Sequence, residues 1–545
     1  MDNKNNINNI PSEKFEFANT GKRISDEKFN DKPIGYFKDA WIRFRKNKAS
    51  VVATGIIILI VLFAICMPLF NTKYDSTFMD IYYSKKGPHI AWLSENFDIM
   101  NGGVSREGTE RNIFWLVSTG IGAAHTEDVV AQGTKVTFDE GMSNRFSPIG
   151  SYKFSKEGPD KKPRYSYTVD AYMEVGFIYT EVTQAKLKEI EEWQEKTGIQ
   201  VLYPLIEENE YTYHPIDTSN ANFWFKTNTK GDPIKLVKQS DGTFAQRKIN
   251  FEGEAVLEDN YMRDADGNVL YSIPWNGGDN ETSMRRVRVL YYNYYIYQNG
   301  FEPNYIFGTD SQGYDLALRM ADGIGLSLLI SVIVSAVNFV IGAIYGAIAG
   351  YYGGAIDLVM ERITDILNGI PSIIVMTLFQ IHFVTYGITL SDGSVYRTSP
   401  IIALLFAFFL TGWIGMSSRV RTQFYRFKNQ EYVMAARTLG ANDWRIIWKH
   451  IFPNTLGTII TGSVLAIPGV IFTESMLSFL GIVNLGGSEI TSLGTLLSDA
   501  SNIWTNYPHL MLFPALVISL LMICFNLFGN GLRDAFNPSL RGVEE

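Results

Sequence analysis

Apolar residues gather in six charge-poor runs, at residues 51–70 and within 324–351, 366–386, 400–418, 455–482 and 510–529. Each is long enough to cross about 30 Å of hydrocarbon as a helix. Polar stretches separate them, and one, from Asn71 to about Arg319, is too long for a bare loop. The pattern predicts an α-helical polytopic membrane protein with six transmembrane helices and a folded domain inserted between the first two. Basic residues in short flanks set the orientation. Arg43, Arg45, Lys46 and Lys48 place the amino-terminal flank in the cytoplasm. Arg419, Arg421, Arg426, Lys428 and Arg437 place the loop after the fourth run on the same side, as Arg533 and Arg541 do for the carboxyl-terminal flank. Six crossings satisfy all three assignments, and an odd number would not.

The polar stretches have patterns of their own. Residues 1–31 are Asn- and Lys-rich and are expected to be a disordered cytoplasmic tail. They lack the apolar core of a cleaved signal peptide. In residues 32–48, Tyr36, Phe37, Ala40, Trp41 and Phe44 recur at three- and four-residue spacing among basic residues, which predicts an amphipathic interfacial helix. Beyond the first run, residues 164–175 alternate as a strand does. Residues 183–198 read as a helix with Thr183 as N-cap, a stripe of Leu187, Ile190 and Trp193, and a terminal Gly198. Asp266-Gly267 marks a hairpin turn, and the aromatic stretch 287–297 reads as a strand. The 264–268 run resembles a calcium loop but lacks the downstream Glu, so it is read as a turn. Together these predict a mixed α/β domain over residues 73–305.

Residues 431–454 sit between the fourth and fifth runs, yet they are amphipathic and rich in helix formers. Residues 431–439 predict a short helix. Gly440 breaks it, because only Gly enters a left-handed turn without strain. Asn442 or Asp443 can cap a second helix running toward His450. Pro453 falls near the start of the next span. Ala435 and Ala436 would let another protein approach the backbone closely, and Arg437, Arg445 and Lys449 add positive charge. Gly342, Ala343, Gly346, Ala347, Ala349 and Gly350 predict close helix packing in the second run. Arg362 and Asp365 can pair within a charged helix ahead of the third, where Pro371 predicts a bend. Glu474 is the one acid deep in the fifth region. A hydrogen bond to a neighbouring helix and a gate role both fit it.

Composition narrows the function. Of 545 residues, 46% are hydrophobic and 19% charged, and the net charge of -8 argues against nucleic acid as partner. Cys66 and Cys524 lie inside apolar runs, so no disulfide framework follows from them. The six histidines show no metal-ligand spacing. The chain lacks a G-x-x-x-x-G-K-[ST] loop, so ATP and its Mg would have to be held by another chain.

The 431–454 loop resembles the cytoplasmic coupling loop of binding-protein-dependent ABC importer permeases. Glu431, Ala435 and Ala436 match a widened Glu-Ala-Ala, Gly440 matches its glycine, and Ile451 and Pro453 its close. The spelling Glu-Tyr-Val-x-Ala-Ala-Arg looks like the oligopeptide/dipeptide branch. Phe307-Gly308-Thr309-Asp310, continuing to Gly313 and Asp315, resembles a string that precedes the second span there, with Tyr314 replacing the usual Arg. Glu474, Leu477, Ser478, Phe479, Leu480 and Gly481 are similar to another such string, and residues 526–538 to the branch's closing signature. Residues 73–305 are an insertion that the resemblance does not cover.

The resemblance implies a type I ABC importer fold and a non-enzymatic pore subunit for oligopeptides in the plasma membrane. It implies a homologous second permease, two ATPase subunits docking on the coupling loop, and an extracytoplasmic peptide-binding lipoprotein. The coupling residues would be Glu431, Ala435, Ala436, Arg437, Gly440, Arg445 and Pro453. The expected order is therefore tail 1–31, interfacial helix 32–48, first span 49–72, inserted domain 73–305 and permease domain 306–545, with its coupling loop at 424–450. A peptide-sensing receptor would explain the large domain but leave the loop without a job. An ion-driven transporter predicts paired intramembrane acids, which the sequence lacks.

Overall fold

The computed structural model describes residues 35–97, 99–103, 105–124, 134–136, 148–159, 161–207, 221–226, 234–238, 244–248, 255–257, 259–275, 282–389, 394–486 and 491–536. The tail expected over 1–31, Arg541 and the end of the closing signature at 537–538 lie outside the described residues. Among those described, five helices are long and apolar enough to cross a membrane: Lys48–Phe70, Leu316–Tyr352, Pro400–Phe427, Asp443–Phe479 and His509–Phe536. A bent pair of helices passes the same length and composition test and makes the count up to six, with the pair as the third span. Gly354–Asn368 and Ser372–Tyr386 meet at 69°, with Pro371 at the N-cap of the second piece. Proline cannot donate to the preceding turn and its ring displaces it, so the bend has a local cause.

The tightest seam runs between the second and fourth spans. A Cβ on Gly346 would lie 2.3 Å from the Ser417 carbonyl oxygen, and one on Gly342 would lie 2.8 Å from that of Trp413. Gly350 would meet Phe424 and the Arg421 carbonyl in the same way. Three glycines spaced by four fall on one helix face, and their missing side chains let the backbones touch. Ahead of the first span, Tyr36–Lys46 forms a separate helix whose Ala40 and Phe44 pack on Ala535, Phe528 and Phe536 of the last span. Asn47 then caps the first span by accepting from the Ser50 N–H.

Residues between the first and second spans carry antiparallel sheets. One has strand order Ser272–Pro274, Met284–Leu290, Phe177–Thr183, with Leu202–Tyr203 also on the central strand. Another has order Arg106–Thr109, Pro163–Val169, Ile149–Glu157. A third joins Thr134–Val136, Ala255–Leu257, Ile234–Lys238 and Phe244–Lys248. The helix Gln184–Thr197 forms as its signals require: Thr183 Oγ accepts from the Lys186 N–H, Leu187 and Ile190 are buried, and Gly198 closes it in the left-handed region. Asp264 accepts from the Asp266 and Asn268 N–H groups around Gly267, so the calcium-like run spends its carboxylate on its own turn.

Two strands expected from sequence are shorter. The 164–175 stretch stays extended only to Val169, because Asp170 accepts from the Tyr172 and Met173 N–H groups and winds the chain into a 3-10 turn. The 287–297 stretch is strand to Leu290 and then the helix Tyr291–Asn299. Six consecutive residues, Tyr291 to Ile296, are buried, which a strand facing one core cannot achieve. Burial overrides the β preference of tyrosine here.

The two stems of this domain lie side by side. His89 and Tyr305 exchange backbone hydrogen bonds at 2.8 and 2.9 Å, and Asp80 N–H donates to the Gly313 carbonyl. A Cβ on Gly313 would lie 1.9 Å from the Asp80 carbonyl oxygen, and one on Gly308 2.4 Å from that of Lys86. Both glycines also sit at positive φ. Asp310 accepts from the N–H groups of Gln312, Gly313 and Tyr314. Burial nonetheless pushes its carboxyl above the ordinary range, as it does Asp80's. Tyr74 donates to Asp315, which caps the second span, and Phe307 stacks on Phe513 of the last span at 4.6 Å. Phe307 also meets Phe63 of the first span at 6.0 Å, so the inserted domain is fastened to three spans.

Gly346→Ala is expected to force the second and fourth spans apart and cost roughly 1–3 kcal/mol, read as a lower thermal-unfolding midpoint in detergent. Gly325→Ala, on the same helix but with open space around it, is expected to leave the midpoint unchanged or slightly raised.

Candidate functional site

The loop between the fourth and fifth spans folds as the helix Glu431–Thr438, a turn, and a second helical start at Asp443. Glu431 occupies the first turn, where a carboxylate complements the helix dipole. Gly440 has φ +83° with open space around it, so conformation and not crowding demands glycine there. Asn442 is the cap: its side chain accepts from the Arg445 N–H at 2.9 Å. The second helix does not stop near His450 but runs on to Phe479 as one span. Residues Ile446–Ile451 wind as a π-helix directly before Pro453. The Phe452 N–H donates to the Ile447 carbonyl five residues back, and Pro453, which has no N–H to place, falls in the first turn of the following α-helix.

The two faces of the loop differ. Val433 and Ala436 point inward, and Val433 joins Ile446, Ile447 and Ile451 in a cluster with Tyr351, Val420 and Phe424 of the second and fourth spans. Of the two small residues expected to offer close approach, only Ala435 is exposed. The outer face also carries Met434, Leu439 at 87% exposure and Trp444 at 70%. Arg437, Arg445 and Lys449 are exposed around them. The outer face is thus an exposed apolar patch rimmed by cations.

Polar contacts fix this patch to the bundle. Tyr351 donates to Asp443 Oδ1 at 2.5 Å and accepts from Arg437 at 3.3 Å. Lys428 donates to the Gly350 carbonyl at 3.0 Å. Arg421 and Asp357 form a two-pronged ion pair at 2.6 and 2.7 Å, and Tyr425 donates to the same carboxylate. Paired guanidinium–carboxylate forks hold geometry as well as charge. Sequence reasoning missed these ties. Asp357 and Arg421 are 64 positions apart, and each alone reads as an ordinary flanking charge.

Glu474 lies elsewhere, at 1% exposure in the fifth span. It accepts from Ser327 of the second span at 2.9 Å and from Ser478 at 3.1 Å. The short helix Leu493–Ala500 packs against it so closely that a Cβ on Gly494 would lie 2.6 Å from the Ser475 Cα. Among the described residues no group of three His, Cys, Asp or Glu side chains could hold a metal.

Comparison with known proteins gives two family models. One, described as binding-protein-dependent transport system inner membrane component, matches residues 342–542. The other, described as the N-terminal TM domain of oligopeptide transport permease C, matches residues 35–88. The oligopeptide transport system permease protein OppC of Bacillus subtilis (strain 168) is 40% identical over 236 residues, 43% of this chain and 72% of that protein. OppC of Escherichia coli (strain K12) is 41% identical over 241 residues, 44% and 74% of the two chains. The dipeptide transport system permease protein DppC of Lactococcus lactis subsp. cremoris (strain MG1363) is 37% identical over 238 residues, 44% and 64% of the two. Among solved structures, the inward-facing MetNI methionine ABC transporter aligns with a TM-score of 0.33 and 16% identity over 40% of this chain and 96% of that one.

Tyr351→Phe removes the hydroxyl that joins the loop to the second span. It is expected to cost about 1 kcal/mol of local stability, read as roughly fivefold faster hydrogen exchange over residues 431–445. Tyr352→Phe, on the neighbouring exposed tyrosine, is the control and is expected to change nothing.

Proposed function

We infer the mode of action from one premise: the chain belongs to the binding-protein-dependent transport permeases, in the oligopeptide permease C branch. It is a transmembrane permease subunit of an ABC importer and not an enzyme. Its relatives are named for oligopeptide and dipeptide transport, and peptide is the cargo assigned to this chain. None of these names favours the receptor reading.

Within that premise, the patch of Met434, Ala435, Leu439 and Trp444 is the seat for an ATPase subunit, with Arg437, Arg445 and Lys449 setting its register. The carrying observation is the loop's two-sidedness: an exposed apolar outer face on a helix whose inner face is packed and hydrogen-bonded to the second and fourth spans. A push on such an element moves spans and not merely a loop. Two ATPase subunits would press on this loop and its counterpart in a second, homologous permease, and the paired spans would open alternately to each side. Glu431 supports the helix, and Gly440 and Pro453 shape its exits. Glu474 is a fixed joint between the second and fifth spans.

This arrangement assigns the loop, the interfacial helix and both chain ends to the cytoplasm, consistent with their basic flanks. Residues 71–319 then face outward, where an extracytoplasmic lipoprotein delivers peptide. The role proposed for the inserted domain is to dock or orient that lipoprotein, or to roof the pore, and its attachment through Asp315, Phe307 and the paired stems supports this reading.

Leu439→Asp and Trp444→Asp are each expected to lower ATP-dependent peptide uptake by roughly thirtyfold, the scale of an interface hot spot of about 2 kcal/mol. Membrane levels of the chain should stay normal, and normal uptake would refute the docking face. Because the stems close at His89 and Tyr305, residues 91–302 can be replaced by a short linker. Uptake and lipoprotein association are expected to fall, and no change in either would remove the roofing role.

A further inference from the structure

Arg419, Arg426 and Arg533 converge on a cavity of about 470 Å³ between the fourth, fifth and sixth spans. We propose that this cavity binds the phosphate of an anionic phospholipid headgroup from the cytoplasmic leaflet. None of its lining residues is acidic. Among the described residues none of the three guanidinium groups lies within ion-pair distance of a carboxylate, whereas the neighbouring Arg421 is fully paired. Arg419 is anchored by donating to the Gly462 carbonyl at 3.0 Å. Arg419 and Arg426 are two helical turns apart on one face, and Arg533 reaches in from the last span. Guanidinium forks match phosphate oxygens, and basic pockets between spans on this side suit lipid headgroups.

Depth selects the lipid. Phe536 lines the cavity and its ring meets Phe37 at 6.1 Å edge-on. Phe37 belongs to the amphipathic helix Tyr36–Lys46, whose Arg43, Arg45 and Lys46 mark the membrane surface. The cavity therefore lies at headgroup level, and Leu465 and Phe536 supply an apolar wall for the start of an acyl chain. The leaflet rests on the orientation proposed above, whereas the site itself does not.

The test uses the assembled transporter in nanodiscs of phosphatidylcholine doped with phosphatidylglycerol, with bound lipid counted by native mass spectrometry. The wild type is expected to retain phosphatidylglycerol in preference to phosphatidylcholine. The triple variant R419Q/R426Q/R533Q is expected to lose that preference, at about fivefold per arginine. Thr458→Trp fills the cavity from an exposed position and leaves all three charges. It is expected to lose the same lipid, and it carries the test should the triple variant misfold. Equal retention in Thr458→Trp and wild type overturns the site. Displacement of the lipid by inorganic phosphate as readily as by added phosphatidylglycerol overturns the lipid source in favour of a soluble phosphate. A failure of the orientation would instead appear in sidedness labelling and would move the site to the other leaflet.

Discussion

Direct backbone contact between the second and fourth spans is the constraint on which the rest of the molecule depends. Gly342, Gly346 and Gly350 bring one helix onto the Trp413, Ser417 and Arg421 carbonyls of the other. Lipid tails are as apolar as leucine, so this pair gains little from simple burial and must gain from packing and polar contacts. The seam ends in the Arg421–Asp357 fork and the Tyr351–Asp443 hydrogen bond. The connecting loop therefore inherits its position from the glycine stripe. A looser seam would leave the exposed Leu439 and Trp444 on a hinge, and a force applied there would be absorbed locally.

The same logic holds at the opposite end of the bundle. The inserted domain does not hang from flexible linkers. Its two stems pair with each other, and Gly308 and Gly313 let them approach where any Cβ would collide. Asp315 joins the domain to the second span by accepting from Tyr74 and from the first helical N–H groups together. The string that resembles the family's approach to the second span thus serves here as the footing of a domain of which residues 89–305 lie outside both matched regions.

Much of the membrane part was legible in the sequence because length and periodicity are strong signals there. The apolar runs, the Pro371 bend, the Gly440 turn, the Asn442 cap and the Thr183–Gly198 helix each follow from a local rule. What escaped was non-local. Asp357 pairs with Arg421 and Tyr351 with Asp443 across long separations, and nothing in either neighbourhood announces its mate. The π-helix before Pro453 escaped because its cause is a compromise between proline and continuity of the span. The helix at Tyr291–Asn299 was hidden by tyrosine's preference for strands, which burial on all sides overrode. Of the two alanines in the coupling motif, only the structure distinguishes outward Ala435 from inward Ala436.

The central claim is that the outer face of the 431–445 loop receives force from a separate nucleotide hydrolase. It is tested most directly by a single cysteine at Ala435 in a chain where Cys66 and Cys524 are replaced, cross-linked in native membranes. The account predicts a cross-linked product containing an ATPase subunit, with a yield that changes when ATP is added. A product without any nucleotide hydrolase, or modification of that cysteine by an impermeant reagent applied to intact cells, would contradict it.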